Sequence, residues 1–325
     1  MLGIVILNYL TYNDTIACVN SIFNTYAGDV RLYIVDNNSP NDSLECLKEQ
    51  YEHIDNVTII DAKYNGGYAF GNNVGLYHAI KDGCSQVLIC NSDIVFLENT
   101  IEILKTKLAE PNVVITTPNI LNPSGVRTYA HKFLAVDKKE TLLSLTFLNV
   151  LDRKKGYRKL LGFDYNDNTP VDIFSASGSC FMLSADLIKK TGYFDDNTFL
   201  GWEEPILGNQ VKKMGGRVVF IPSIGVLHLH RGSTKHLGAK SYTMGINSEI
   251  YYVKHYLKPS PLYLTILSSV ITMRYFISCV QDKSYLKELS FFFKNFYSRM
   301  FSADGLNKDD IKRIEEMAKY RIYGD

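Results

Sequence analysis

The chain is short of most features that would place it outside the ordinary globular proteins. Its six cysteines (Cys18, Cys46, Cys84, Cys90, Cys180 and Cys279) include no Cys-x-x-Cys pair. Most sit in apolar surroundings, which reads as reduced core thiols rather than a zinc or disulfide framework. Charge of one sign is also missing: 35 basic against 34 acidic residues leave a net charge of +1. That balance gives no electrostatic case for nucleic acid as a partner. No basic region precedes the strand-like Gly3-Ile4-Val5-Ile6-Leu7, which argues against a cleaved secretory signal and for a cytoplasmic location. There is no internal repeat, and only one tryptophan, Trp202. Long apolar runs are scarce too. Leu262 to Met273 is free of charge, but as a helix it would rise only about 18 Å against a hydrocarbon core of roughly 30 Å. Extending it to Val280 brings in Arg274, so a core or interfacial helix is expected there rather than a span.

What is present is an α/β rhythm. Gly3 to Leu7, Leu32 to Val35, Val57 to Ile60 and Gln86 to Cys90 read as strands. A helix between the first two carries Ile16, Val19, Ile22 and Phe23 on one face, with Asn13 or Asp14 as its cap; another lies near Leu44 to Tyr51. This alternation predicts a mainly parallel, doubly wound sheet. A variable stretch from about Tyr129 to Asp167 holds Lys138-Lys139, Arg153-Lys154-Lys155 and Arg158-Lys159, read as ordinary surface charge. Regular structure resumes at Val171, and Val218 to Ile221 is the last strand-like run. Beyond His255 the character changes. Pro259-Ser260-Pro261 breaks the chain, and the aromatic segment Leu289 to Tyr297 is suited to a bilayer or a partner chain. Leu306 to Tyr320 reads as a charged, exposed closing helix.

Three acidic patches punctuate this pattern: Val35-Asp36-Asn37-Asn38-Ser39, Cys90-Asn91-Ser92-Asp93 and Trp202-Glu203-Glu204-Pro205. The first two follow strands, and residues at the carboxyl ends of strands in an open α/β sheet line the crevice where ligands bind. Asp36 taken alone is a turn former, and Asn-x-Asp alone is a weak sign of a metal. Together they predict a site for a charged, metal-bound ligand. Glu204 stands at a helix entrance, with Ile206, Leu207, Val211 and Met214 as the buried face and Gly215-Gly216 as the stop. The plain alternative is that the two glutamates complement the helix dipole, and that Trp202 is core rather than a sugar platform.

Asn65-Gly66-Gly67-Tyr68-Ala69-Phe70-Gly71-Asn72-Asn73 joins a strand to a helix, and its glycines permit close approach to a diphosphate. Gly66 and Gly71 have P-loop spacing, but Asn72-Asn73 stand where Lys-Ser/Thr is needed, and Gly-x-Gly-x-x-Gly is absent. A nicotinamide dehydrogenase is further disfavoured by Asn8-Tyr9-Leu10-Thr11 after the first strand. His228 and His230 alternate in an extended segment and share a side, and imidazole can ligate manganese.

Read in order, Val5-Ile6-Leu7-Asn8-Tyr9, Val35-Asp36-Asn37-Asn38-Ser39, Asn65-Gly66-Gly67-Tyr68-Ala69, Asn72-Asn73-Val74-Gly75, Asn91-Ser92-Asp93, Leu121-Asn122-Pro123-Ser124-Gly125, Ser177-Gly178-Ser179-Cys180, Gly192-Tyr193-Phe194-Asp195, Trp202-Glu203-Glu204 and His228 resemble glycosyltransferase family 2, in its rhamnosyltransferase-like branch. The resemblance implies a GT-A fold, a mainly parallel mixed sheet flanked by helices. It implies a glycosyltransferase domain over 1–235, divided into a nucleotide and metal half (1–125) and an acceptor half (126–235), with a helical extension over 236–325. It implies inverting, Mn2+- or Mg2+-dependent transfer from a UDP- or dTDP-linked sugar to a glycan or lipid-linked acceptor in bacterial surface polysaccharide synthesis. Glu204 would be the base and Asp93 and His228 the metal ligands. Asn8, Asp36, Asn65, Gly66, Asn73, Asn91, Ser92 and Gly178 would meet the donor, and Trp202 and Glu203 would lie on the acceptor side. Peripheral membrane contact and self-association through the C-terminal helices are left open. Asn91 replaces a commoner Asp, Glu204 the commoner Asp of the base, and Leu10 a frequent Asn; Pro205-Ile206 interrupts the usual continuation. These departures keep a second reading in view, a nucleotide-sugar-binding scaffold with impaired catalysis.

Overall fold

The computed structural model describes residues 1–128, 131–132, 135–145, 168–229 and 238–324. Arg153-Lys154-Lys155, Arg158-Lys159 and His230 lie outside the described residues. Among the described residues nine strands form one sheet: β1 (Leu2–Asn8), β2 (Val30–Asp36), β3 (Val57–Asp61), β4 (Gln86–Asn91), β5 (Ile94–Phe96), β6 (Val113–Leu121), β7 (Val171–Ile173), β8 (Cys180–Ser184) and β9 (Arg217–His228). Their order is β3-β2-β1-β4-β8-β6-β9-β5, with β7 on β9. β1 to β4 pair in parallel, while β8 runs antiparallel between β4 and β6.

Register decides where the site is. Asn8 pairs with Asp36, and Leu7 with Asn91, so three strand ends share one edge. Cys90 pairs with Cys180, which brings the 177–179 loop to that same edge. Along β1 successive side chains alternate: Ile4 and Ile6 enter one core, Val5 the other. Both faces are covered, which is why the parallel strands read as unbroken apolar runs.

Helices α1 (Tyr12–Thr25), α2 (Ser43–Tyr51) and α4 (Thr100–Leu108) cover one face. The other carries α3 (Tyr68–Lys81), α6 (Ala185–Thr191) and α7 (Glu203–Lys213); α5 spans Lys138–Leu145. The expected cap of the first helix moves: Thr11 precedes it and makes no side-chain cap. On α3, Gly71 and Gly75 face β1, where an added Cβ would lie 2.4 Å from Leu7 and 2.4 Å from Val5. These glycines let the helix lie close on the strand.

The C-terminal part is helical: α8 (Ala239–Tyr252), a π-helical turn (Val253–Leu257), α9 (Pro261–Gln281), α10 (Ser284–Lys287), α11 (Leu289–Phe301) and α12 (Lys308–Ala318). After the predicted break, the Ser260 hydroxyl accepts from the Tyr263 N–H and starts α9. The closing helix is not merely exposed. Met317 is fully buried and joins Tyr323 in the core of the sheet's second face.

Candidate active site

At the ends of β1 and β2 a polar network replaces open crevice. Asn8 Nδ2 donates to Asp36 Oδ1 at 2.7 Å, and Thr15 Oγ1 donates to Asn8 Oδ1 at 2.8 Å. Ser39 donates to Asp36 twice, from its hydroxyl (2.7 Å) and its N–H (2.8 Å). Asn8 and Asp36 are both buried. The carboxylate thus fixes the turn that leaves β2.

β4 ends in the turn Asn91-Ser92-Asp93 and returns as β5, which pairs antiparallel with β9 through Ile94 and His228. That register brings two residues distant in sequence into contact: His228 Nε2 lies 3.1 Å from Asp93 Oδ1. Asp93 is buried and His228 nearly so. Ser92 bonds Thr11, oxygen to oxygen, at 2.9 Å, and Asn91 donates its N–H to Ser179 O at 3.0 Å. Among the described residues no cluster of three His, Cys, Asp or Glu side chains converges. One carboxylate and one imidazole still fit a divalent ion that takes its remaining oxygens from a diphosphate and water.

The third patch is placed by an unusual turn. Gly201 (φ +79°) and Trp202 (φ +75°) are both left-handed, a conformation that costs an aromatic residue energy. It swings the chain into α7 with Glu203 and Glu204 in the first turn; Pro205 is the third residue, not the first. Glu204 Oε1 accepts from the Gly178 N–H at 2.9 Å, and Tyr68 OH donates to Gly178 O at 2.5 Å. A Cβ on Gly178 would lie 2.5 Å from that carboxylate oxygen, so the contact requires glycine. Burial raises the Glu204 carboxyl, against the Gly178 N–H and the Lys132 charge that pull it down. Glu203 is 3 % exposed, and its Oε1 has no hydrogen-bond partner among the described residues. Burial, then repulsion from Glu204, pushes Glu203 up to about 8. Of the pair, Glu204 is the one with a hydrogen-bond donor and a lysine charge that favour its ionised form.

Several expected donor residues have other partners. Asn73 is fully buried, its amide donating to Phe194 O and accepting from Phe194 N–H, both at 2.9 Å. At Gly66 and Gly67 the missing Cβ makes room for protein: a Cβ would strike Phe70 and Met317 at the first, and the Phe199 backbone at the second. Asn65 Oδ1 accepts from Asn37 Nδ2 (3.1 Å) and Gly67 N–H (3.2 Å), holding that loop. Trp202 packs on Tyr252, ring centroids 5.1 Å apart, as core.

Other residues had no signal in the sequence. His131 accepts the Ser177 N–H at Nδ1 (3.0 Å) and donates from Nε2 to Pro118 O (3.0 Å). Those partners define a neutral ring, and burial lowers it to about 4. It thereby pins the 177–179 loop. Arg313 on α12 donates from Nη1 to Gly66 O (3.1 Å) and Asp196 O (3.2 Å), and from Nη2 to Asn197 O (2.5 Å). Such contacts join segments remote in sequence, and no local pattern announces them.

The sheet order, with Asp93 meeting His228 at one edge and a helix-entrance glutamate tied to the adjoining 177–179 loop, is that of a GT-A-type α/β fold. The structure is similar to that of GalNAc-T7 with UDP, GalNAc and Mn2+ (TM-score 0.60, 13% identity, 98% of this chain and 54% of that one). It is also similar to the mannosyltransferase PcManGT of Pyrobaculum calidifontis in complex with GDP-Man and Mn2+ (TM-score 0.54, 12% identity, 98% and 84%). S. aureus TarS 1-349 in complex with UDP-GlcNAc is a third likeness (TM-score 0.52, 13% identity, 98% and 81%). At these identities they establish the fold.

The family model of glycosyl transferase family 2 matches residues 3–192, more than half of the chain, and the protein belongs to that family. A curated relative, the low-salt glycan biosynthesis hexosyltransferase Agl10 of Haloferax volcanii, is 28% identical over 204 residues, 62% of this chain. The match spans 59% of that relative's length.

Proposed function

We propose that the protein is an inverting, divalent-cation-dependent glycosyltransferase that moves a hexosyl or rhamnosyl unit from a UDP- or dTDP-linked sugar to an acceptor hydroxyl. One observation carries the reading. The 177–179 loop, in register with the end of β4, links Glu204 to the edge where Asp93 meets His228. A metal-bound diphosphate and a separate base need that arrangement. The neighbours solved with UDP, GDP-Man or UDP-GlcNAc, two of them with Mn2+, support a nucleotide-sugar donor. The Agl10 likeness supports glycan synthesis.

In this reading Glu204 accepts the proton of the acceptor hydroxyl. The freed oxygen attacks the anomeric carbon from the face opposite the nucleotide, and the glycosidic C–O bond to the diphosphate breaks with inversion. Burial raises its carboxyl, which strengthens it as a base. Neutral Glu203 beneath it avoids a second buried charge. Asp93 and His228 would hold Mn2+ or Mg2+, which would supply charge neutralisation for the departing diphosphate. Asn8 and Asp36 would shape the nucleoside end of the cleft. Residues 1–125 would serve the donor, 126–235 the acceptor, and 236–325 would be a helical extension. The acceptor would be a glycan or lipid-linked intermediate of bacterial surface polysaccharide, met at the cytoplasmic face.

The test is Glu204→Gln. Turnover is expected to fall at least about 10²-fold, while donor binding in the presence of Mn2+ changes less than about twofold. Full turnover would overturn the base assignment. Failure of the native protein to bind any nucleoside-diphosphate sugar by calorimetry would overturn the transferase reading.

A further inference from the structure

Nine of the seventeen large apolar side chains that are exposed among the described residues fall between positions 262 and 301, so they concentrate in one segment. On α9 the pattern has two faces. Leu267, Ile271, Tyr275 and Cys279, spaced four apart, are buried against the protein. The outward positions are Leu262, Thr265, Ile266, Ser269, Met273, Phe276, Ile277 and Val280, without a charge among them; Leu262 is 71% and Val280 87% exposed.

The patch continues onto α11. The Phe276 and Phe293 rings meet at 5.9 Å, Phe293 stacks on Tyr297 (5.7 Å), and Tyr297 on Phe301 (6.1 Å), which is 83% exposed. Lys294 shares this outward side, opposite Phe292 and Phe296. Exposed Lys258 precedes α9, and exposed Lys283 and Lys287 lie in the link between α9 and α11. From 258 to 301 the exposed basic side chains are Lys258, Lys283, Lys287 and Lys294, the last 3.9 Å from Asp309, while Arg299 is buried against Asp310; the same stretch holds two acidic side chains, Asp282 and Glu288.

We propose that the outward face of α9 and α11 docks the protein onto an anionic lipid bilayer, with α9 lying in the plane of the interface. At 21 residues and with an apolar composition, α9 meets the length criterion for crossing a membrane. Crossing would tear its inner face from the fold, where Tyr275 stacks on Phe292 at 3.7 Å and donates its hydroxyl to Tyr285 O at 2.9 Å. An apolar face beside lysines fits the headgroup boundary, where the hydrocarbon inserts and the ammonium groups meet lipid phosphate. A second copy of the chain fits less well. Thr265 and Ser269 stand where paired charges would set a helix register, and a two-fold contact would oppose lysine to lysine. This docking does not rest on the transferase reading.

The experiment is flotation of the full chain with phosphatidylcholine vesicles, with and without phosphatidylglycerol. Binding to the anionic vesicles is expected to exceed binding to neutral ones by at least about tenfold. Met273→Ser/Phe276→Ser/Val280→Ser and Lys283→Glu/Lys287→Glu/Lys294→Glu are each expected to lose at least about tenfold in binding. Melting temperature and circular dichroism should be unchanged, because these side chains are exposed. Failure to float, or both triple variants floating as well as the native chain, would overturn the proposal. So would a dimer, seen by sedimentation, that the apolar variant abolishes.

Discussion

Glu249 shows how much a single side chain can reveal about the conditions this fold tolerates. It lies buried on α8, its Oε1 without a hydrogen-bond partner among the described residues. Burial pushes it from 4.5 to about 8, with the charges of Arg274 and Lys132 offsetting only part of the shift. The sign follows from linkage. Between these two values the unfolded chain releases this proton and the folded chain keeps it, so stability falls as pH rises through the window. Glu203 contributes in the same direction. Glu249→Gln should therefore stabilise the protein by about 1–3 kcal/mol near pH 8 and by almost nothing near pH 4.5, read from thermal melts at both. A larger gain at the lower pH would contradict the assignment.

At the scale of elements, the clasp made by α12 and the residues after it governs the loop that presents Glu204. Arg313 holds the carbonyls of Gly66, Asp196 and Asn197, and Arg321 and Tyr323 hold the Asp196 carboxylate at 2.6–3.1 Å. Arg313→Ala should lower kcat by about tenfold with a much smaller change in donor KM, since the base rather than the donor is displaced. Arg313→Lys should recover part of the rate, because an ammonium group cannot span three carbonyls. Equal losses in kcat/KM for both, with kcat unchanged, would contradict a positioning role. This clasp was not legible in the sequence, where the same helix reads as exposed charge. The strands β1 to β4 were legible, because strands buried on both faces leave apolar runs. β6 was missed: Thr116-Thr117-Pro118-Asn119 interrupts its apolar pattern, and Thr116 and Thr117 are satisfied only by carbonyls of Leu104 and Cys180. Asp93 and Glu204 stood out as carboxylates at element ends. Gly66 was legible as a close approach that needs glycine, and the groups that approach it include Phe70 and Met317.

For the whole molecule, the helices after position 238 share buried cores with the rest of the chain. Ile206 on α7 and Phe174 pack with Ile246, Ile250, Leu267, Ile271 and Phe296, and Met317 and Tyr323 close the sheet's second face. A chain ended at residue 235, at the boundary suggested by the family resemblance, should therefore lack a cooperative melting transition and expose apolar surface to a hydrophobic dye. A soluble fragment with a sharp transition would refute this.

The central position of β8 bears on how turnover is gated. β8 pairs with β4 on one side and β6 on the other, so the donor-side and base-side portions share a continuous hydrogen-bonded sheet. Swinging one against the other would break that ladder, so a clamshell hinge is a poor route for admitting substrate or releasing nucleotide. Motion that admits substrate or releases nucleotide is therefore expected in the turns that leave the strand ends rather than in the sheet.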